Sequence, residues 1–293
     1  MNSGTIAQYQ YNYASVSNST LSSRGYKQVI IKVTPVSGNL LTCNFQQRFV
    51  TTPAQNQAYS SGFLECILSM PNASVGNSIT FGGGITIRHA YCEKVDIKTI
   101  GNATSMGNMF QYCYSLQSVP LFNTVNVTNM SYMFSSCYSL QSVPLFNTVN
   151  VNSMFNMFNT CYSLKYVPLF NTINVTNMSS MFSVCYSLQS VPLFNTVNVN
   201  SMFNVFFNCN SLQSVPLFNT VNVTNMSYMF ERCLSLNFIP AFITTAVTTD
   251  FTAFANDCNS LNLILMSFNR TVALRNCQLS KDALVEIFTN LTI

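Results

Sequence analysis

Cys113-Tyr-Ser-Leu-Gln-Ser-Val-Pro-Leu-Phe-Asn-Thr-Val-Asn-Val-Thr-Asn-Met-Ser-Tyr-Met-Phe-Ser-Ser136 is followed at once by its own near copy. The sentence returns from Cys137, Cys161, Cys185 and Cys209, and in worn form from Cys233, always at a step of 24 residues; only Cys233 to Cys258 takes 25. A strict period of this length predicts a solenoid, because a unit so small cannot bury its own apolar face and is completed by its neighbours.

Within one unit the apolar positions fall into two groups. Leu116, Val119 and Leu121 follow L-x-x-V-x-L, which predicts a short strand with Val119 and Leu121 on one face. Val127, Met130, Met133, Phe134 and Cys137 are spaced by about three, which predicts a helical or 3-10 turn capped by Thr128 or Asn129. The expected fold class is therefore an α/β repeat solenoid, with a parallel sheet on one side and short helical segments on the other. Seven rungs stacked at about 4.8 Å would give a rod of about 34 Å.

Val127-Thr-Asn-Met-Ser-Tyr-Met-Phe-Ser-Ser-Cys-Tyr-Ser-Leu140 resembles the leucine-rich repeat of the BspA-like surface-protein class, whose units read roughly V-t-n-M-s-x-M-F-x-x-C-x-S-L-x-x-L. The resemblance, of the 24–25-residue type of Mycoplasma lipoproteins, runs from Cys92 to about Leu265. It implies a leucine-rich-repeat solenoid on a surface-exposed protein of bacteria, protists or phage particles, used for adhesion or recognition and carrying no catalysis.

Composition narrows the classes further. Only 7% of the 293 residues are charged, against an average of about 25%, so Asn, Ser, Thr and Gln must make the surface. The net charge of +4 comes without any basic run. Duplex binding requires clustered Lys and Arg, so nucleic acid is not an expected partner. No leader of basic and apolar regions opens the sequence, and no run approaches 18 apolar residues, so membrane insertion is not expected.

Three regions are expected. Residues 1–91 do not repeat and alternate around Val29, Ile31 and Val33 before a Pro35–Gly38 turn, then again near 62–70 and 77–92 around the triplet Gly82, Gly83 and Gly84. They read as a small β-rich anchoring domain, a hairpin or sandwich. Residues 92–265 form about seven rungs, the first carrying Glu93, Lys94, Asp96 and Lys98 on its outer side. Residues 266–293 form a cap with a helix over about 280–291, started by Ser280 and striped by Leu284, Ile287, Phe288 and Leu291.

The candidate recognition face follows from the expected strands. Gln117, Gln141, Gln189 and Gln213 should point outward, with Lys165 and Tyr166 interrupting the row. Phe122, Phe146, Phe170, Phe194 and Phe218 either join them as an aromatic stripe or tuck under the bend as core. Cys113, Cys137, Cys161, Cys185, Cys209, Cys233 and Cys258 are expected to form a reduced, buried structural ladder. Asn123 and Asn126, with their equivalents, should satisfy turn backbone along the stack. A 48-residue rhythm alternates large and small residues at Ser131, Phe155, Ser179, Phe203 and Ser227, and reads as neighbour packing.

No enzymatic chemistry is expected. His89, the only histidine, differs in strand parity from Cys92, the eight carboxylates are scattered, and no Cys/His cluster has metal-ligand spacing. No cofactor is implied. The reading that follows is a phage or virus structural protein, synthesised in the host cytoplasm and displayed on the virion surface. Residues 1–91 would dock on other virion proteins, and the solenoid would meet a host-surface glycan or protein, in a homo-oligomer or multi-copy assembly. Capsid decoration without a receptor role is one alternative, and a bacterial or protist cell-surface adhesin the other.

Overall fold

The computed structural model divides the chain into residues 1–38 and 39–293. It describes residues 42–44, 65–69, 78–80, 94–243, 249–266, 268 and 272–289, all in the second unit. Of the hairpin expected over 26–45 only Thr42–Asn44 is described, and the Gly82–Gly84 bend, His89, Cys92 and Glu93 lie outside the described residues.

Four short strands lie ahead of the regular array: β1 (Thr42–Asn44), β2 (Glu65–Ser69), β3 (Ser78–Thr80) and β4 (Lys94–Thr99). Their pairing is parallel throughout, β1 with β3 and β2 with β4. Antiparallel hairpin pairing is absent among the described strands, and the β2–β4 ladder crosses the boundary expected at residue 91. From Lys94 a parallel bridge to Ser118 hands the ladder on to the first full repeat.

The spine of each rung is the stretch read above as helical. Thr128 to Ser136 is instead a ribbon of consecutive β-turns, closed by Met133 N–H to Met130 O, Ser135 N–H to Tyr132 O and Cys137 N–H to Phe134 O. Tyr132 and Ser136 have positive φ (58° and 63°), and the pair recurs at the same two places in every rung, for example Asn156 with Thr160 and Asn204 with Asn208. A left-handed residue every fourth position turns alternate peptides across the ribbon, which prevents a helix from propagating. The freed amides bond to the neighbouring rung: Met130, Tyr132, Phe134 and Ser136 donate to the carbonyls of Ser153, Phe155, Met157 and Asn159 at 3.1, 2.9, 2.9 and 2.7 Å. The enrichment of Asn among the positive-φ residues fits its tolerance of that conformation. Asn129 accepts from Ser131 N–H at 2.9 Å, so the expected cap is present, but it opens a turn ribbon.

The predicted strand survives as a narrow ladder. Gln141, Lys165, Gln189, Gln213 and Asn237 each donate one backbone bond to the equivalent residue a rung earlier. Regular strand geometry returns only in β5 (Phe238–Ile239) and β6 (Leu263–Ile264), again parallel. In β4 the alternation is clean, with Val95 and Ile97 buried. In the later rungs it breaks, because Phe146 N–H bonds back to Pro144 O and the equivalent γ-turns recur at Phe170, Phe194, Phe218 and Phe242. The turn swings Leu145 and its equivalents outward and the phenylalanines inward, and Leu121 and Phe122 likewise face outward and inward. Leu121 is 64% exposed and Phe122 is 6% exposed, which reverses the expected facing of Leu121.

The core is built from rows of Val, Met, Leu and Cys around a double row of phenylalanines. Phe110, Phe134, Phe158, Phe182, Phe206 and Phe230 stack at 5.4–5.8 Å with nearly parallel rings. Phe146, Phe170, Phe194, Phe218 and Phe242 lie against them at 6.2–6.4 Å. Each such ring, removed from water, contributes about 1.5–3 kcal/mol. Thr124, Thr148, Thr172, Thr196 and Thr220 are buried beside them, each donating its hydroxyl to the carbonyl at the bend of the next rung at 2.7–2.8 Å. Asn150, Asn174, Asn198 and Asn222 cap the preceding rung through their side-chain amides at 2.7 Å. Phe155 and Phe203 pack edge-on against Tyr132 and Tyr228, so the 48-residue rhythm is one of neighbour contact.

The stack closes at α1 (Lys281–Thr289), which packs on β6. Ser280 accepts from Ala283 N–H at 3.0 Å, as its capping role predicts. The helix turns Ala283 and Ile287 inward and leaves Leu284 exposed, so of the predicted stripe Ile287 is buried and Leu284 is not. The side chain of Phe288 and all of Leu291 lie outside the described residues.

Candidate functional site

Three lines of side chains run along the outside of the solenoid, one residue per rung. The first carries the predicted face. Gln117, Gln141, Lys165, Gln189 and Gln213 are all exposed, and Tyr166, also exposed, donates its hydroxyl to Gln189 across one rung at 2.5 Å. Phe122, Phe146, Phe170, Phe194 and Phe218 do not belong to it, because all five are buried, the last four behind a γ-turn. Their place is taken by Leu121, Leu145, Leu169, Leu193 and Leu217, each 57–64% exposed. The proline before each leucine was the available signal, since it marks a turn rather than a continuing strand.

The second line is aromatic. Tyr114, Tyr138, Tyr162 and Tyr186, each following a ladder cysteine, stack face to face at 4.3, 4.5 and 4.9 Å. The steps match the spacing of a parallel ladder. Burial, reinforced by Tyr138 and Tyr186 on either side, pushes the Tyr162 phenol up. The row ends there, since the next three rungs carry Asn210, Leu234 and Asn259 in the same place.

The third line consists of the second positive-φ residue of each rung. It runs Tyr112, Ser136, Thr160, Val184 and then Asn208, Arg232, Asp257, Asn276. Where the second and third lines change character together, the surface opens into a groove of about 610 Å³ lined by Tyr186, Asn208, Asn210, Arg232, Asp257 and Asn276 among others. Between Thr99 and Phe230 the sequence has a single charge, Lys165; Arg232 and Asp257 then line this groove, with Arg275 paired to Asp257 and Glu231 close to it. Asn276 donates to Asp257 at 2.6 Å, and this bond, with Arg275 at 3.4 Å, holds the Asp257 carboxyl below its usual range. Burial, and then the neighbouring Asp257 charge, raise Glu231. The Asn210 side-chain oxygen is buried without a hydrogen-bond partner.

The seven predicted ladder cysteines are buried and reduced. From Cys137 onward each thiol donates to the carbonyl of a core residue one rung earlier, as Cys161 does to Phe134 at 3.1 Å. Burial pushes Cys185 and Cys258 up to about 12, and raises Cys161, Cys209 and Cys233 as well. Thiols so held stay protonated at neutral pH and are poor nucleophiles. Among the described residues no three His, Cys, Asp or Glu side chains come together as a metal site, and no helix is long and apolar enough to cross a membrane.

A regular stack of 24-residue turn ribbons, joined by parallel bridges around a phenylalanine core, defines a leucine-rich-repeat-like solenoid. Residues 88–191 and 162–268 match the family described as "Mycoplasma protein of unknown function, DUF285", and the chain belongs to that family. No curated protein matches the sequence. Similar solved structures include a leucine-rich repeat protein from Eubacterium ventriosum, at 16% identity over 74% of this chain and 44% of that one, with a TM-score of 0.34. The chain thus spans less than half the length of that protein. Others are a leucine-rich cell surface protein from Faecalibacterium prausnitzii (16% identity, 87% and 92% coverage, TM-score 0.29) and an internalin from Listeria monocytogenes (12%, 78% and 79%, TM-score 0.25).

Proposed function

We propose that the chain is a non-enzymatic recognition protein of a cell surface, with the solenoid as a rigid scaffold that holds a protein partner along the leucine line. The observation that carries this reading is the row Leu121, Leu145, Leu169, Leu193 and Leu217, each more than half exposed at one fixed step. Exposed leucines are ordinary singly, but a contiguous apolar row rimmed by Gln and Ser is the composition of an interaction surface. Rungs bonded at every step hold the row in register, so little order is lost when a partner docks. The neutral flanks suit contact by shape and apolar burial rather than by charge steering.

The test has two arms. Antibody raised against residues 92–293 is applied to intact cells and to any particles of the native source; label on cell envelopes is expected, and label confined to particles would return the protein to the virion. Labelled full chain is then applied to intact cells beside a variant with all five leucines changed to Gln. Saturable binding that the variant loses is expected, and equal binding by both proteins would remove the leucine line from the function.

A further inference from the structure

We propose that the groove beyond Tyr186 is a saccharide-binding site, in which a pyranose ring takes the position that a fifth stacked tyrosine would fill. The tyrosine row advances by one ring per rung as far as Tyr186. One face of the Tyr186 ring lies on Tyr162, and the next rung carries Asn210 in place of a ring. The groove of about 610 Å³ opens at this point, with Tyr186 as one wall. That volume is within the usual range for a small-molecule site.

The chemistry of the walls selects the ligand class. The π face of a tyrosine carries negative potential, and the C–H bonds on one side of a pyranose present the complementary positive edge. Apart from Leu234, the remaining lining mixes donors and acceptors: Arg232 donates, the Asp257 carboxylate accepts, and the asparagines do both. Sugar hydroxyls also donate and accept at once, so this mixture fits them. The two charges that line the groove, Asp257 and Arg232, cancel, which suits a neutral ligand and disfavours a phosphate-bearing one. The Asn210 oxygen, now buried without a partner, gains one when its amide turns outward to a ligand hydroxyl. The site is separate from the leucine line and does not depend on the function proposed for it.

Saturation-transfer NMR on the full chain tests the proposal, with chitotriose, cellotriose and mannotriose as probes and adenosine monophosphate and tyrosinamide as comparators. At least one trisaccharide is expected to bind, with its ring C–H protons showing the strongest transfer. Tyr186→Ala should weaken that binding by about tenfold, the loss of one aromatic platform. Asn210→Tyr continues the stack into the groove and should abolish binding while the protein stays folded, as judged by its thermal transition. Changing the five exposed leucines to Gln should leave sugar binding intact, so this test and the cell-binding test fail separately. No binding of any trisaccharide at millimolar concentration overturns the proposal. So does unimpaired binding by folded Asn210→Tyr, or occupation of the groove by a comparator alone.

Discussion

Up to Tyr186 the solenoid repeats both its backbone and its row of stacked tyrosines; from Asn208 onward it keeps the backbone and loses that row. The inter-rung bonds of the third line pass through the change undisturbed. Val184 N–H donates to Phe207 O at 2.7 Å, Asn208 to Glu231 O at 2.7 Å, Arg232 to Asn256 O at 2.8 Å and Asp257 to Arg275 O at 2.7 Å. Outer side chains can therefore diverge without cost to the ladder, because the ladder is made by peptide groups. The core diverges later than the surface. Its parallel ring stack holds through Phe230 and turns edge-on only at Phe254, 83° from Phe230, after the 25-residue interval. A uniform half and an adapted half thus share one hydrogen-bonding scheme.

The largest test of that shared scheme is alkaline unfolding. The thiol reference is 9.0, and Cys185 and Cys258 titrate at about 12 in the fold. Between these values the unfolded chain releases thiol protons that the folded chain keeps, so stability is whole below about pH 9 and falls as pH rises toward 12. Far-UV circular dichroism should show cooperative loss in that window. Cys277, only partly buried at the adapted end, should be alkylated before the ladder cysteines of the uniform half. Simultaneous alkylation of both halves at pH 8 would show that the thiols are not held as described.

Core truncation separates the halves next. Phe158→Ala removes a ring stacked on both sides and should cost about 3–5 kcal/mol by urea denaturation. Hydrogen exchange should show the loss spreading to the rungs above and below, since a solenoid's stability resides in its interfaces. Phe254→Ala, beyond the parallel stack, should confine the loss to the rungs next to α1. Equal spreading from both sites would dissolve the distinction between the halves.

The smallest effect lies at the surface change itself. Val184 holds φ at 62°, which a β-branched residue adopts at a cost of about 1–2 kcal/mol. Val184→Asn should therefore stabilise the protein by about 1 kcal/mol, and Asn208→Val one rung later should destabilise it by a similar amount. Thermal unfolding of the two variants checks the pair, and matching signs would contradict the left-handed ladder.

Much of this was legible from spacing. The period, the solenoid, the buried cysteines and the Ser280 cap follow from residue types recurring at fixed steps. The helical reading of Val127 to Cys137 failed because a spacing of three fits a chain of β-turns as well as a helix, and the period alone does not tell them apart. Asn156, Asn204 and Asn208 were the signal for left-handed turns. The outward leucines were hidden because Pro144 and its equivalents in the later rungs close a γ-turn that shifts the alternation by one residue. The tyrosine line was overlooked beside the more numerous phenylalanines, although its period is the same.

By itself the sequence determined that identical units must stack, since only repetition at 24 residues lets each small unit complete its neighbour's core. It also determined where the array decays, because charge returns and the cysteine step lengthens at Cys258. Which residues face outward was decided only in three dimensions. Facing depends on φ signs and γ-turns, which are set when each rung must align its peptides with the next. The groove exists for the same reason: Tyr186 and Asn276 are 90 positions apart in sequence, and only the rise of the ladder brings them to one wall.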